Sequence, residues 1–212
     1  MKRLGGLHVL TDTLLQKRFS HIRLTEMAIA GGADVIQFRE KHGSARDMIE
    51  TACRMKELCE RAGVMFIVND RVDVALASNA DGVHLGQEDF PIPLARRLLG
   101  NERIIGGSAG NMEEAKKCID EGADYIGFGP IFSTQSKDDA GPATGIATLR
   151  RLTGEIHCPV IAIGGINEKQ IPGLIEAGAH GVAVISAVCC AEDPEKAARS
   201  LKGVLNNASK IG

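Results

Sequence analysis

The stretch DVIQFREK, Asp34–Lys41, starts as a buried β-strand and ends in an amide, a guanidinium, a carboxylate and an ammonium. MFIVND, Met65–Asp70, makes the same transition, with Ile67 and Val68 running straight into Asn69 and Asp70. Short apolar β-rich runs of this kind recur along the chain. LHVLTD (7–12), DVIQFRE (34–40), MFIVND (65–70) and GVHLG (82–86) come first, then RIIGGS (103–108), YIGFGP (125–130), VIAIGG (160–165) and GVAVIS (181–186), eight in all. Most are continuous rather than alternating, as parallel strands covered on both faces should be.

Helical patterns lie between them. SARDMIETACRMKELCERAG puts Met48, Ile49, Ala52, Met55, Leu58 and Cys59 on one face, with Gly63 as its C-cap. NMEEAKKCIDEG opens on Asn111 as N-cap and closes at Gly122. INEKQIPGLIEAG runs from Asn167 to Gly178, and Pro172 inside it predicts a late start or a kink. A weak repeat joins these units: AGGADVIQF, NADGVHL, EGADYIGF and EAGAHGVAVI each pass from a helix end through Gly or Ala into a strand. Eight βα units in 212 residues predict a single-domain α/β protein, residues 1–212, folded as a (β/α)8 TIM barrel. A doubly wound open sheet is the competing arrangement, but such sheets usually have fewer strands.

Composition narrows the function classes. A formal net charge of −2 gives no global pull toward nucleic acid or an anionic membrane, so phosphate binding must come from local groups. With no Trp and one Tyr, a base-stacking platform is not expected. The six cysteines form no C-x-x-C pair and read as reduced thiols. No apolar stretch approaches the ~20 residues of a membrane span. The run before Asp12 is too short for a signal peptide, so a cytoplasmic location is expected.

Barrel active sites lie at the C-terminal ends of the strands. Here those ends carry Asp12, Gln37, Arg39, Lys41, Asn69, Asp70, Gly86 to Asp89, Ser108, GPIFSTQSK, Gly164, Gly165, Ile185 and Ser186. Arg39, Lys41 and Lys137 suit phosphate oxygens. Asp70 and Asp89, at the ends of consecutive strands, could hold Mg²⁺ together with substrate phosphates. The plainer alternative is a helix cap for Asp70 and a turn for Asp89. The small residues ending strands seven and eight leave backbone N–H groups for a second anion. His84 reads as structural, the other histidines form no cluster, and no nucleophile–base pair is visible. A reaction driven by binding and charge stabilisation is expected.

Taken in order, QFREK, VNDRVDVA, ADGVHLGQED, GPIFSTQSK, IAIGGI and VIS resemble the thiamine phosphate synthase family, from near Leu7 to past Ser186. The resemblance implies coupling of hydroxymethylpyrimidine diphosphate to hydroxyethylthiazole phosphate with release of pyrophosphate, Mg²⁺ as cofactor, and small-molecule substrates as partners. It implies that Gln37, Arg39, Lys41, Asn69, Ser108 and Lys137 contact the pyrimidine diphosphate, with Phe38 and Glu40 in the same segment. Asp70 and Asp89 match the metal ligands. Thr134, Gln135, Ser136, Gly165, Ile185 and Ser186 match the segments that bind thiazole phosphate. Arg39, Lys41, Lys137 and Ser108 are then the catalytic candidates, neutralising charge on the leaving pyrophosphate while the aminopyrimidine stabilises a methylene cation. Phe38 stands where Leu is usual, and Ser133 and Ser136 where Pro and Thr are usual.

Two other readings compete. Thiazole tautomerases of the same family carry a His where this chain has Pro130, and they need no diphosphate metal site. A regulatory barrel that only binds thiamine precursors would have no use for a full metal and diphosphate set. No nucleic-acid or membrane partner is expected; a homo-oligomer is possible.

Overall fold

The structure is a computed structural model describing residues 4–136 and 141–210. Eight parallel strands close into one barrel in sequence order: β1 Leu7–Thr11, β2 Val35–Phe38, β3 Met65–Asn69, β4 Gly82–Leu85, β5 Ile104–Ala109, β6 Tyr125–Phe128, β7 Val160–Ile163 and β8 Gly181–Val184. The barrel replaces the open-sheet alternative, since β1 pairs with both β2 and β8. Each strand feeds a helix: α1 His21–Ala30, α2 Ala45–Ala62, α3 Val72–Ala77, α4 Ile92–Leu99, α5 Met112–Asp120, α6 Gly145–Glu155 and α7 Ile171–Glu176. After β8 come a single turn, α8 Ser186–Cys189, and the long α9 Pro194–Ala208.

The predicted caps form. Gly63 closes α2 at φ 69°, and the Asn111 side chain accepts from Glu114 N to open α5. Pro172 sits in the first turn of α7, which begins only at Ile171, so this helix starts late. The continuous apolar strands follow from burial on both faces. Ile36, Phe38, Phe66 and Val68 pack outward against the helices, whereas Val35, Met65, Ile67 and Tyr125 fill the barrel.

The internal repeat has a structural meaning. At the N-terminal ends of the strands, Asp34 accepts from Gly6 N and Leu7 N at 3.1 and 2.8 Å, Asp81 from Phe66 N at 2.8 Å, and Asp124 from Ile105 N at 2.7 Å. Each of these carboxylates also meets a helix cation: Lys202, Lys56 and Arg96, at 2.6, 2.8 and 2.6 Å. At the fourth corner stands His180, whose Nε2 lies 2.9 Å from Leu4 O. Each aspartate thus clamps the start of an odd strand to the turn before the next even strand. All of this lies opposite the face that carries the candidate site.

Candidate active site

Strand phase explains the polar ends. Positions facing into the barrel run Val35, Gln37, Arg39 on β2 and Met65, Ile67, Asn69 on β3, so the alternation that fills the core with aliphatics ends in polar groups at the mouth. Gln37, Arg39 and Asn69 are all buried. Phe38 is out of phase. It is buried under the helices with its ring edge-on to His21, centroids 4.8 Å apart, so position 38 can offer a ligand only its backbone. Gln37 Oε1 and Arg39 Nε are buried without a hydrogen-bond partner among the described residues, so polar groups at this mouth await a donor and an acceptor.

The charges at the ends of β1 to β3 are paired. Arg39 is bound to Asp12, and Lys41 to Asp70. Asp12 Oδ1 also accepts from Leu14 N and Leu15 N at 2.7 and 3.0 Å, which fixes the carboxylate. Glu40 turns the other way. It accepts from His42 N at 2.9 Å and meets His21 Nε2 at 3.3 Å, so it organises the loop after β2. Burial alone would raise the Glu40 pKa, but these hydrogen bonds outweigh it and leave it lowered.

Asp70 adopts φ 65°, a left-handed conformation that costs energy for a non-glycine residue and recurs at functional sites. Its Oδ1 accepts from Asn69 Nδ2 at 2.5 Å, and its backbone N–H donates to His84 O at 2.8 Å. Asp89 Oδ2 accepts from Gly86 N at 2.6 Å. Burial raises the Asp89 pKa, and contact with the Asp70 carboxylate raises it further. Two carboxylates held against each other fit a divalent cation, which would relieve their repulsion. Among the described residues no cluster of three His, Cys, Asp or Glu could hold a metal, so further ligands would come from substrate oxygens or water.

A cavity opens on the other half of the mouth, over β5 to β8. Ser108, Thr134, Ser136, Gly165, Ile185 and Ser186 line it. Ser136 Oγ donates to Ser186 Oγ at 3.1 Å, tying the loop after β6 to the end of β8, and Ser136 N donates to Thr134 Oγ1 at 3.2 Å. Gly165 has φ 63°, and a Cβ there would lie 2.5 Å from Ser133 O, so only glycine lets the turn after β7 pass beneath this loop. Gln135 is exposed, and Lys137 lies outside the described residues. Ser108 stands between the two halves.

The family model for thiamine monophosphate synthase matches residues 7–188. A thiamine-phosphate synthase of Methanocella arvoryzae is 52% identical over 94% of this chain and 94% of its own length. One of Chloroflexus aurantiacus is 50% identical, covering 94% of this chain and 92% of its own length. The solved thiamine phosphate pyrophosphorylase of Pyrococcus furiosus superposes with a TM-score of 0.88 at 39% identity, over 96% of both chains.

The chain belongs to the thiamine monophosphate synthase family.

Three features of the mouth emerge only from the fold. Asp12 has no evident role as a strand-end residue in the sequence, although its two-residue spacing from the inward Leu10 predicts an inward carboxylate. His21 is isolated in the sequence, yet its Nδ1 lies 2.8 Å from Thr11 Oγ1, beside Glu40. His84 reads as structural in the sequence, where no nucleophile–base pair is visible. The fold nevertheless brings His84 Nε2 to 2.9 Å from Ser108 Oγ and His84 Nδ1 to 3.0 Å from Tyr125 OH. The glycines of RIIGGS and YIGFGP were the available signal, because glycine inside a strand marks close approach.

Proposed function

We propose that this protein is a thiamine-phosphate synthase, joining hydroxymethylpyrimidine diphosphate to hydroxyethylthiazole phosphate with release of pyrophosphate. The observation that carries the reading is the division of the mouth: a Lys41–Asp70–Asp89 charge cluster on one side of Ser108 and a cavity with the Ser136–Ser186 bridge on the other. Two anionic substrates thereby find separate seats on adjoining strand ends.

Asp70 and Asp89 would hold Mg²⁺, which supplies positive charge to diphosphate oxygens. Lys41 is half-exposed and can turn from Asp70 to a phosphate as the carboxylate takes up the cation, so both charges stay compensated. Arg39, fixed by Asp12, offers its remaining N–H groups as static donors. Ser108 lines the cavity and would also donate to the diphosphate, and Lys137 would add a further cation.

In the reaction, the C–O bond to pyrophosphate breaks and a C–N bond to the thiazole nitrogen forms. The nitrogen attacks with its own lone pair, so no side chain has to take a proton. Catalysis then lies in orientation and in stabilising negative charge on the leaving group. Purified protein incubated with both phosphorylated precursors and Mg²⁺ should form thiamine phosphate and pyrophosphate in equal amounts. Absence of thiamine phosphate while both precursors remain bound would reject the reading.

A further inference from the structure

His84, Tyr125 and Ser108 form a chain of hydrogen bonds that begins inside the barrel and ends at its mouth. The space for it is built in. Gly106 pairs with His84 on one side and Tyr125 on the other, and a Cβ at Gly106 would lie 2.2 Å from Tyr125 Cζ and 2.4 Å from His84 Nδ1. A Cβ at Gly127 would lie 2.8 Å from His84 Cε1. Two glycines on adjoining strands thus hold open the volume in which these rings meet.

The direction of the chain follows from its buried end. Tyr125 is 1% exposed, and burial keeps the phenol protonated. Among the described residues its hydroxyl has one hydrogen-bond partner, His84 Nδ1, so a satisfied O–H must donate there. Nδ1 is therefore the bare nitrogen, and the ring proton sits on Nε2, facing Ser108 Oγ. Having accepted from His84, the serine hydroxyl has no described side-chain or backbone acceptor for its own proton except what enters the cavity it lines.

We infer that His84 is a positioning residue, which Tyr125 holds in the Nε2–H tautomer so that Ser108 is fixed as a hydrogen-bond donor to a bound acceptor oxygen. The sense is opposite to nucleophile activation, because a protonated Nε2 cannot take the serine proton. Donors aligned in one direction also polarise one another. The catalytic consequence rests on the diphosphate reading given above; the tautomer does not.

The test has two arms. In ¹⁵N NMR of the histidine-labelled protein without substrates, His84 should carry its proton on Nε2, the resonance being assigned by its loss in His84→Gln or its displacement in Ser108→Ala. An Nδ1–H tautomer overturns the inference whatever the enzyme's activity. In kinetics, Ser108→Ala should lower kcat by about 10²-fold and Tyr125→Phe by about tenfold, with smaller changes in either KM. His84→Gln, whose amide can still donate to Ser108, should retain more activity than His84→Ala. Unchanged kcat in folded Tyr125→Phe, or equal loss in Gln and Ala variants, overturns it. If wild-type protein makes no thiamine phosphate while the Nε2–H tautomer is observed, the functional reading fails and the hydrogen-bond chain stands.

Discussion

Asp12, at the end of β1, and Arg39, just past β2, form an ion pair buried at the mouth of the barrel. The pair turns a flexible side chain into a fixed cation, and the backbone donors of Leu14 and Leu15 fix its carboxylate in turn.

Asp12→Asn keeps the volume and an acceptor for those backbone groups but leaves the guanidinium buried without a counter-charge. Breaking a buried pair in this way costs roughly 3–5 kcal/mol. Urea unfolding should show that loss, and Asp12→Asn combined with Arg39→Gln should recover part of it. Added pyrophosphate should stabilise Asp12→Asn more than wild type, since the anion replaces the missing charge. Equal stabilisation of both would mean that Arg39 does not reach the anion.

The metal assignment has its own signature. In the presence of pyrophosphate, Asp70→Asn and Asp89→Asn should each weaken Mg²⁺ binding by roughly 10–100-fold. Calorimetry measures this without turnover. The Asp89 pKa is raised, so its carboxyl takes up a proton at a higher pH than an ordinary aspartate. Mg²⁺ affinity should therefore start to fall at a higher pH in wild type than in Asp89→Asn as the solution is acidified. Identical pH profiles would remove Asp89 from the site.

The sequence showed the barrel clearly because its strands are doubly buried, and its mouth because polar residues interrupt them at their ends. Eight runs of apolar residues became eight strands, each within two residues of the expected ends. What it did not show depends on registration between strands. His84 and Ser108 are 24 positions apart, and Tyr125 lies 41 beyond His84, so only the pairing of β4, β5 and β6 through Gly106 brings them together. The side-chain direction of Phe38 was likewise hidden inside a motif read as a block, although strand alternation places it opposite Gln37 and Arg39. The repeat was visible as Gly/Ala punctuation, but its aspartate clamps needed the helix cations to be located.

Inside the barrel, burial pushes the pKa of His8 down from 6.5 to about 4. The unfolded chain therefore binds a proton on this residue below about pH 6.5, whereas the folded chain does so only near pH 4. Stability from this group is complete above the unfolded value and is lost as the pH falls between the two. Its full size is about 3 kcal/mol. His8→Gln retains a donor toward Gly5 O and should flatten the pH dependence of unfolding in that window. The same slope in both proteins would assign the acid sensitivity to other groups.

Gly165 gives the sharpest separation of the two seats. Its φ of 63° penalises any side chain, and a Cβ would press on Ser133 O at 2.5 Å and Phe132 Cβ at 2.9 Å. Gly165→Ala should lift the loop that carries Thr134 and Ser136 away from Ser186, opening the 3.1 Å bridge between the two hydroxyls. The control is Gly63→Ala, where φ is 69° but no atom lies within 4 Å of the added carbon. Both variants should lose about 1–2 kcal/mol from left-handed strain. Only Gly165→Ala should raise the KM for thiazole phosphate, and by more than the KM for the pyrimidine diphosphate, since Thr134 and Ser136 line the cavity while the proposed diphosphate seat is built mainly on the ends of β2 to β4. Equal increases in both KM values would show that the two anions share one seat rather than lying on either side of Ser108.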